Sequence, residues 1–134
     1  MDHSTAEAKI SVVIPVYNGE KYISHLIDSL KAQTFTDLEF IFVDDLGEDN
    51  SMSFVHEWAS TDSRVRILRN EKNLGEGGSR NRGIEASRGI YINTIDPDDW
   101  VAEDFYELLY AKAVETSADI VKGTRVMIDE DTGI

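Results

Sequence analysis

The 134-residue sequence contains no cysteine, only two prolines and no apolar stretch long enough to cross a membrane. The absence of cysteine excludes disulfide bridges and thiolate metal sites. A membrane-spanning helix needs about 20 consecutive apolar residues, and no run in this chain approaches that length. Residues 1–8 are polar and lack an apolar signal region, so we interpret them as a disordered lead-in. Together these absences favour a cytoplasmic protein.

Positive charge is also scarce, with 13 basic residues against 26 acidic ones and a net charge of −13. A nucleic-acid-binding protein needs a positive surface, so the composition argues against nucleic acid as a partner. Seven of the 13 basic residues nevertheless lie between positions 64 and 88. They are Arg64, Arg66, Arg69, Lys72, Arg80, Arg82 and Arg88. This region could face a small anion such as a diphosphate, or it could balance nearby acids on a solvated surface.

The length suits one domain, which we place at residues 9–134. Apolar runs rich in β-branched residues predict strands at 9–18, 38–45, 64–68, 88–95 and 118–129. The first of these runs is almost continuously apolar, as expected of a strand that is buried on both faces of a parallel sheet. Strands that alternate with helices predict the α/β class, with a mostly parallel sheet and flanking helices.

Apolar residues at helical spacing predict the intervening helices. The helix after Asn18 and Gly19, which we expect to be capped by them, has an apolar face. A second helix begins near residue 48, a third runs through 79–87, and a fourth covers 102–115. The predicted inner faces are Ile23, Leu26, Ile27 and Leu30 in the first helix, Phe54, Val55, Trp58 and Ala59 in the second, and Phe105, Leu108, Leu109 and Ala113 in the fourth.

Polar residues gather where three predicted strands end. The first strand ends at residues 15–18, the second at Asp44 and Asp45, and the fourth at residues 96–99. Ligands of open α/β sheets bind outside the carboxyl ends of the strands, so these segments predict a common site. Tyr17 offers a flat face for stacking on a base, or it packs against the sheet edge. Asp44 and Asp45 could bind a base or ribose, or begin a loop.

The segment "DPDD" at 96–99 is the strongest candidate for a metal site. Asp96 and Asp98 flank a proline, and in an extended segment residues i and i+2 point the same way. Mg²⁺ and Mn²⁺ prefer oxygen ligands, and Mg²⁺ often combines one or two carboxylates with substrate phosphates. Because aspartate is also common in turns and helix caps, an ordinary acidic turn is the alternative.

The glycine-rich segment "GEGGSRNRG" follows the third predicted strand. Its spacing matches neither G-x-G-x-x-G nor the P-loop pattern, so the sequence does not predict a dinucleotide fingerprint. Backbone amides at the start of the next helix could still attract an anion, with the help of Arg80.

The motifs "IPVYN", "SLKAQTF", "VDD", "RNRGIEASRG" and "DPDD" occur in this order. With them the chain resembles family 2 glycosyltransferases of the GT-A fold, a Rossmann-like arrangement that binds nucleotide-diphosphate sugars, over roughly residues 9–125. The resemblance implies a nucleoside pocket lined by Pro15, Tyr17, Asp44 and Asp45.

The resemblance also implies roles for the acidic segment. Asp96 lies near the ribose, Asp98 binds Mg²⁺ or Mn²⁺ on the diphosphate, and Asp99 shares that task. Arg80 corresponds to the arginine of the family's Ala-Arg-Asn helix start, close to the nucleotide. The implied reaction is a metal-dependent, inverting hexosyl transfer from a UDP-sugar to a glycan or lipid-linked acceptor, as in cell-surface polysaccharide synthesis, with peripheral membrane association at the inner face.

The chain departs from the family pattern in two places. The family's Asp-Asp-Gly-Ser loop reads Asp44-Asp45-Leu46-Gly47 here. Family members also continue beyond the fifth strand into an acceptor-binding half, so we expect a truncated protein whose catalytic base lies beyond Ile134. We expect it to bind nucleotide weakly and to transfer sugar poorly or not at all. A binding module without catalysis is the alternative. Another Mg²⁺-dependent α/β domain would carry its key aspartate after the first strand, where this chain has residues 15–18.

Overall fold

The computed structural model describes residues 8–116, in which four strands alternate with four helices. In chain order the elements are β1 (Ile10–Val16), α1 (Glu20–Lys31), β2 (Leu38–Asp44), α2 (Ser51–Ala59), β3 (Val65–Arg69), α3 (Gly75–Ala86), β4 (Tyr91–Thr94) and α4 (Phe105–Thr116). The fifth strand, predicted at 118–129, lies outside the described residues. The domain bounds of 9–134 and the lead-in of 1–8 stay predictions.

The strands form one sheet in the order β3-β2-β1-β4, and each neighbouring pair is parallel. This arrangement confirms the predicted α/β class. Val16, at the end of β1, pairs with Asp44, at the end of β2. The amide of Ile95, just after β4, donates to the carbonyl of Val13 at 3.0 Å. The carboxyl ends of these strands therefore meet at one edge of the sheet.

The core lies between the sheet and helices α1 and α2. All seven residues of β1 are buried, which explains the unbroken apolar run. The predicted inner face of α1 is confirmed, because Ile23, Leu26, Ile27 and Leu30 are each at most 4% exposed. Burial of a side chain of this size contributes about 1.5–3 kcal/mol. From α2, Trp58 packs against Phe40 and Phe42 of β2, with ring centroids 4.7 and 6.1 Å apart.

Helix α3 begins at Gly75, four residues earlier than the predicted start at residue 79. Residues 75–78, at the start of the glycine-rich segment, thus form the first turn of the helix. The middle of α3 lies very close to the sheet, since a Cβ atom on Gly83 would stand 2.4 Å from Cγ1 of Val13. The missing side chain at position 83 lets the helix approach β1 and places its N-terminus at the edge where the strands end.

The inner face of α4 differs from the prediction. Leu108 is 58% exposed, whereas Tyr106 is fully buried along with Ala113. Phe105 and Leu109 pack against the core but remain partly exposed. The Tyr106 hydroxyl donates to Oδ1 of Asn93 at 2.8 Å, so the buried ring keeps a polar partner. Burial raises the pKa of Tyr106 far above its usual range.

Candidate nucleotide and metal site

A cavity of about 660 Å³ opens at the carboxyl edge of the sheet. Its walls come from the end of β1, the start of α1, the segment that enters α3 and the acidic segment after β4. They are formed by Pro15, Val16, Tyr17, Asn18, Gly19, Tyr22, Asp45, Asn73, Gly75, Glu76, Asp96, Pro97 and Asp98. The volume lies within the roughly 300–1,000 Å³ that is common for small-molecule sites. Segments far apart in the sequence thus share one concave surface, as predicted from the strand ends.

The β1–α1 turn supplies one wall of the cavity. Pro15 and Tyr17 line it, and the side chain of Tyr17 stays 56% exposed rather than being packed away against the sheet. Asn18 and Gly19 then adopt left-handed conformations with φ of 61° and 106°, which turns the chain into α1. A Cβ atom on Gly19 would lie 3.3 Å from Cβ of Pro97, so this turn sits directly beside the acidic segment.

Gly19 is the N-cap residue of α1, as predicted, whereas the side chain of Asn18 does not cap the helix. Its side-chain oxygen accepts hydrogen bonds from the amides of Glu48 and Asp49 at 2.8 and 3.2 Å, so it holds the loop after β2 instead. The amide of Glu20, in the first turn of α1, donates to Oδ2 of Asp49 at 2.9 Å. The side-chain acceptor for the first turn of α1 therefore comes from a residue 29 positions along the chain, which local sequence does not reveal.

Asp45 lines the cavity but is only 2% exposed. Its carboxylate accepts hydrogen bonds from the amides of Leu74 and Gly75, at 2.7 and 3.0 Å, and from Nδ2 of Asn70 at 2.8 Å. These amides begin α3, where a negative charge is favourable. Asp45 is thus the anion at this helix N-terminus. The prediction that amides at the start of this helix attract a ligand anion is therefore wrong for Leu74 and Gly75, because their amides already donate to Asp45.

Behind Asp45 lies a buried polar network that sequence reasoning missed. Nδ2 of Asn70 also donates to Oγ of Ser79 at 2.9 Å, and its Oδ1 accepts from Arg82 at 2.8 Å. Nδ2 of Asn73 donates to the carbonyl of Asp45 at 3.1 Å. Asn70 comes directly after β3, and this position at a strand end is the only sequence signal that marks it. The network fixes the entry to α3 relative to the end of β2.

Asp44, predicted to line the nucleoside pocket, does not line the cavity. Successive residues of a strand point to opposite sides, which separates Asp44 from Asp45. Oδ1 of Asp44 accepts a hydrogen bond from the amide of Leu46 at 2.9 Å and supports the turn there. Leu46 stands where the family pattern has glycine, and its φ of 64° is one that a side chain adopts only with strain.

The acidic segment brings three carboxylates together. Asp96, Asp98 and Asp99 each offer an oxygen within 4.8 Å of the others, a spacing that suits a shared cation. Asp96 and Asp98 line the cavity, whereas Asp99 does not. The pKa of Asp96 is raised by burial first, then by Glu76, Asp99 and Asp98. Hard, negatively charged oxygen donors in this arrangement fit Mg²⁺ or Mn²⁺.

Arg80, predicted to lie close to the nucleotide, does not line the cavity. Its Nη2 atom forms an ion pair with Oε1 of Glu76 at 2.6 Å, and it is Glu76 that faces the cavity. Within the described residues, other members of the basic region pair elsewhere: Arg64 with Asp62 and Arg66 with Glu39. The structure therefore uses these two arginines to balance nearby acids.

Comparison with known proteins gives one consistent family. Residues 11–134 match the family described as "Glycosyl transferase family 2". Glycosyltransferase GlyG of Streptococcus pneumoniae is 39% identical over 124 residues, which are 92% of this chain and 41% of that protein. The poly(ribitol-phosphate) beta-glucosyltransferase of Bacillus spizizenii is 36% identical over 118 residues, 86% of this chain and 19% of that protein. The chain thus spans less than half the length of these relatives.

Solved structures agree with the sequence comparison. Staphylococcus aureus TarS in complex with UDP superposes with a TM-score of 0.75 at 30% identity, over 80% of this chain and 32% of TarS. The mannosyltransferase PcManGT of Pyrobaculum calidifontis, in complex with GDP-Man and Mn²⁺, gives a TM-score of 0.70 at 26% identity over 86% of this chain and 34% of the other. The fold is therefore the GT-A fold. Among residues 8–116, no helix has the length and apolarity needed to cross a membrane.

Proposed function

Because the chain belongs to glycosyl transferase family 2, we propose that it is the donor-binding part of an enzyme that moves a sugar from a nucleotide diphosphate to a glycan or lipid-linked acceptor. A UDP-sugar is the proposed donor. One observation carries the proposal: the exposed ring of Tyr17, the buried carboxylate of Asp45 and the carboxylates of Asp96 and Asp98 line a single cavity. Aromatic, polar and acidic groups in one space suit the base, the ribose and the metal-bound diphosphate of a nucleotide sugar.

The nucleoside occupies the wall formed by β1 and β2. Tyr17 stacks on the base, with Pro15 beside it, because a flat and largely exposed ring offers apolar contact without a desolvation cost. Asp45 presents its carboxylate at the polar edge of the base, and Asp96 accepts a hydrogen bond from the ribose. Asp44 contributes indirectly, by holding the turn at Leu46. TarS, which shares the fold, has been solved with UDP and with UDP-GlcNAc.

The proposed cofactor is Mg²⁺ or Mn²⁺, held by Asp98 and Asp99. When bound, the cation supplies Lewis-acid stabilisation of the diphosphate leaving group. The chain's own residues make a cation necessary for donor binding. Asp96, Asp98 and Glu76 bring negative charge to the cavity wall, and Arg80 is already paired with Glu76. A diphosphate alone would be repelled by these carboxylates, since like charges at short range raise each other's energy.

The transfer itself requires groups beyond the cavity described above. An inverting reaction needs a base that takes the proton from the acceptor hydroxyl. We propose that this base belongs to an acceptor-binding part outside the described residues 8–116. We further propose that the enzyme works in the cytoplasm at the inner face of the membrane.

Calorimetric titration with UDP, GDP and dTDP, each with and without Mn²⁺, tests the proposal. We expect UDP to bind in the presence of Mn²⁺ and to bind far more weakly without it. Asp98→Asn should abolish the effect of Mn²⁺. Asp37→Asn is the matched control, because Asp37 is exposed at the opposite edge of the sheet, just before β2. If no nucleotide binds, or if Asp98→Asn behaves like Asp37→Asn, the donor-site assignment is wrong.

A further inference from the structure

Glu76 is a cavity residue that the assignments above leave without a role towards the donor. It is the second residue of α3 and lines the cavity together with Asp96. After burial, the nearby carboxylate of Glu76 is the next cause of the raised pKa of Asp96. Oε1 of Glu76 accepts a hydrogen bond from Arg80 at 2.6 Å, one helical turn further along. Two carboxyl groups are thus neighbours on the cavity wall, and one of them is held by an arginine.

The position of Glu76 relates it to one part of the donor. Its neighbour Gly75 is bound to Asp45, which belongs to the nucleoside wall. On the other side Glu76 meets Asp96, which is followed two residues later by the metal ligand Asp98. Glu76 therefore lies between the nucleoside end of the cavity and its metal end. In a nucleoside diphosphate, the ribose is the group that joins the base to the diphosphate.

The chemistry of this carboxyl pair suits a vicinal diol. Two carboxyl groups on one cavity wall offer hydrogen-bond acceptors and, when ionised, no donor. A ligand with two adjacent hydroxyl groups supplies one donor to each carboxylate. Hydrogen bonds from hydroxyls to carboxylates are charge-assisted and are roughly twice as strong as neutral ones.

We propose that Glu76 and Asp96 together bind the 2′,3′-diol of the donor ribose, so that Glu76 helps the site to select ribonucleotides over deoxyribonucleotides. The inference rests on the proposed function. Arg80 positions the Glu76 carboxylate for this contact through an i, i+4 ion pair on the helix surface. A site built to hydrogen-bond a hydroxyl rejects an analogue that lacks it, because the acceptor is then left without a partner.

The test compares the dissociation constants of UDP, 2′-deoxy-UDP and 3′-deoxy-UDP at saturating Mn²⁺, for the wild-type chain, Glu76→Ala and Glu76→Gln. All three nucleotides carry the same diphosphate. A substitution therefore changes the charge repulsion and the cation binding equally for all three, and these changes cancel in the ratio of their affinities. Glu85→Gln is the matched control, since Glu85 is on the same helix, exposed and away from the cavity. Thermal unfolding of each variant establishes that the fold is retained.

We expect the wild-type chain to bind UDP about tenfold more tightly than each deoxy analogue. Each deoxy analogue gives one ratio, its dissociation constant divided by that of UDP. In Glu76→Ala, one of the two ratios should fall to about one while the other persists. In Glu76→Gln, the same ratio should take an intermediate value, because the amide oxygen of glutamine still accepts a hydrogen bond. Glu85→Gln should match the wild type. If UDP binds and both ratios are unchanged in Glu76→Ala, the role of Glu76 is refuted and the proposed function stands. If the wild-type chain binds no UDP, the proposed function fails and this inference with it.

Discussion

The substitution Asp45→Asn tests whether the entry to α3 depends on a buried charge. In the wild-type chain Oδ1 of Asp45 accepts from Asn70 and Leu74, and Oδ2 accepts from Gly75. An asparagine with its oxygen at the Oδ1 position would direct its NH₂ group at the amide of Gly75. One hydrogen bond is then lost, two donors face each other, and the remaining bonds lose their charge assistance.

The expected cost follows from these contacts. Loss of a buried hydrogen bond to a charged group, with the amide left unsatisfied, costs about 2–3 kcal/mol. For about 100 ordered residues this corresponds to a fall in Tm of roughly 10 °C. Urea unfolding at pH 7, followed by circular dichroism, measures the change in the free energy of unfolding. We also expect weaker UDP binding, because Leu74 and Gly75 position the wall that carries Glu76.

Asp44→Asn is the matched control for this experiment. Asp44 precedes Asp45, carries the same charge and accepts one hydrogen bond, from the amide of Leu46, at a half-buried position. Its oxygen can be replaced by that of asparagine without a clash of donors, so we expect a loss below about 1 kcal/mol. If Asp45→Asn destabilises the protein no more than Asp44→Asn does, the carboxylate of Asp45 is not what holds the start of α3.

Three further predictions concern glycine contacts, backbone strain and pH. Gly83→Ala should lower the free energy of unfolding by about 1–3 kcal/mol, because the new Cβ atom would lie 2.4 Å from Val13. A higher urea midpoint, which is the usual result of Gly→Ala within a helix, would contradict the close packing. Leu46→Gly should raise the free energy of unfolding by about 0.5–1 kcal/mol. The substitution relieves a left-handed conformation that costs about 1–2 kcal/mol, but the greater freedom of glycine in the unfolded chain offsets part of this gain. An unchanged urea midpoint would argue against strain at Leu46. Asp96→Asn should stabilise the ligand-free protein at pH 7, because a raised pKa in the folded state means that ionised Asp96 opposes folding. This gain should shrink as the pH falls through the raised pKa and be largely lost by about pH 4, the ordinary pKa of the carboxyl group in the unfolded chain; urea titrations at pH 7 and pH 4 that show a constant difference would refute it.

Local sequence patterns determined much of the fold. The buried runs of β1 and β2 and the apolar face of α1 follow directly from residue type and spacing, because burial on one or both sides of an element imposes a period on the chain. The order of motifs determined the family, and the alternation of strands with helices determined that the polar strand ends meet. The strands and the helix face each depend on residues that are close in the sequence, and the family on the order in which short motifs follow one another.

The tertiary structure alone decided which side chains reach the cavity. Asp44 and Asp45 are neighbours of the same type, yet only Asp45 faces the cavity and caps a helix 29 residues further along. Arg80 matches a family motif, but Glu76, which matches none, stands between Arg80 and the cavity. The start of α3 was likewise set by a carboxylate from the residue that follows β2. Contacts between residues far apart in the chain leave no local period or propensity, and for this reason the sequence by itself predicted the edge where the site lies but not all the side chains that form it.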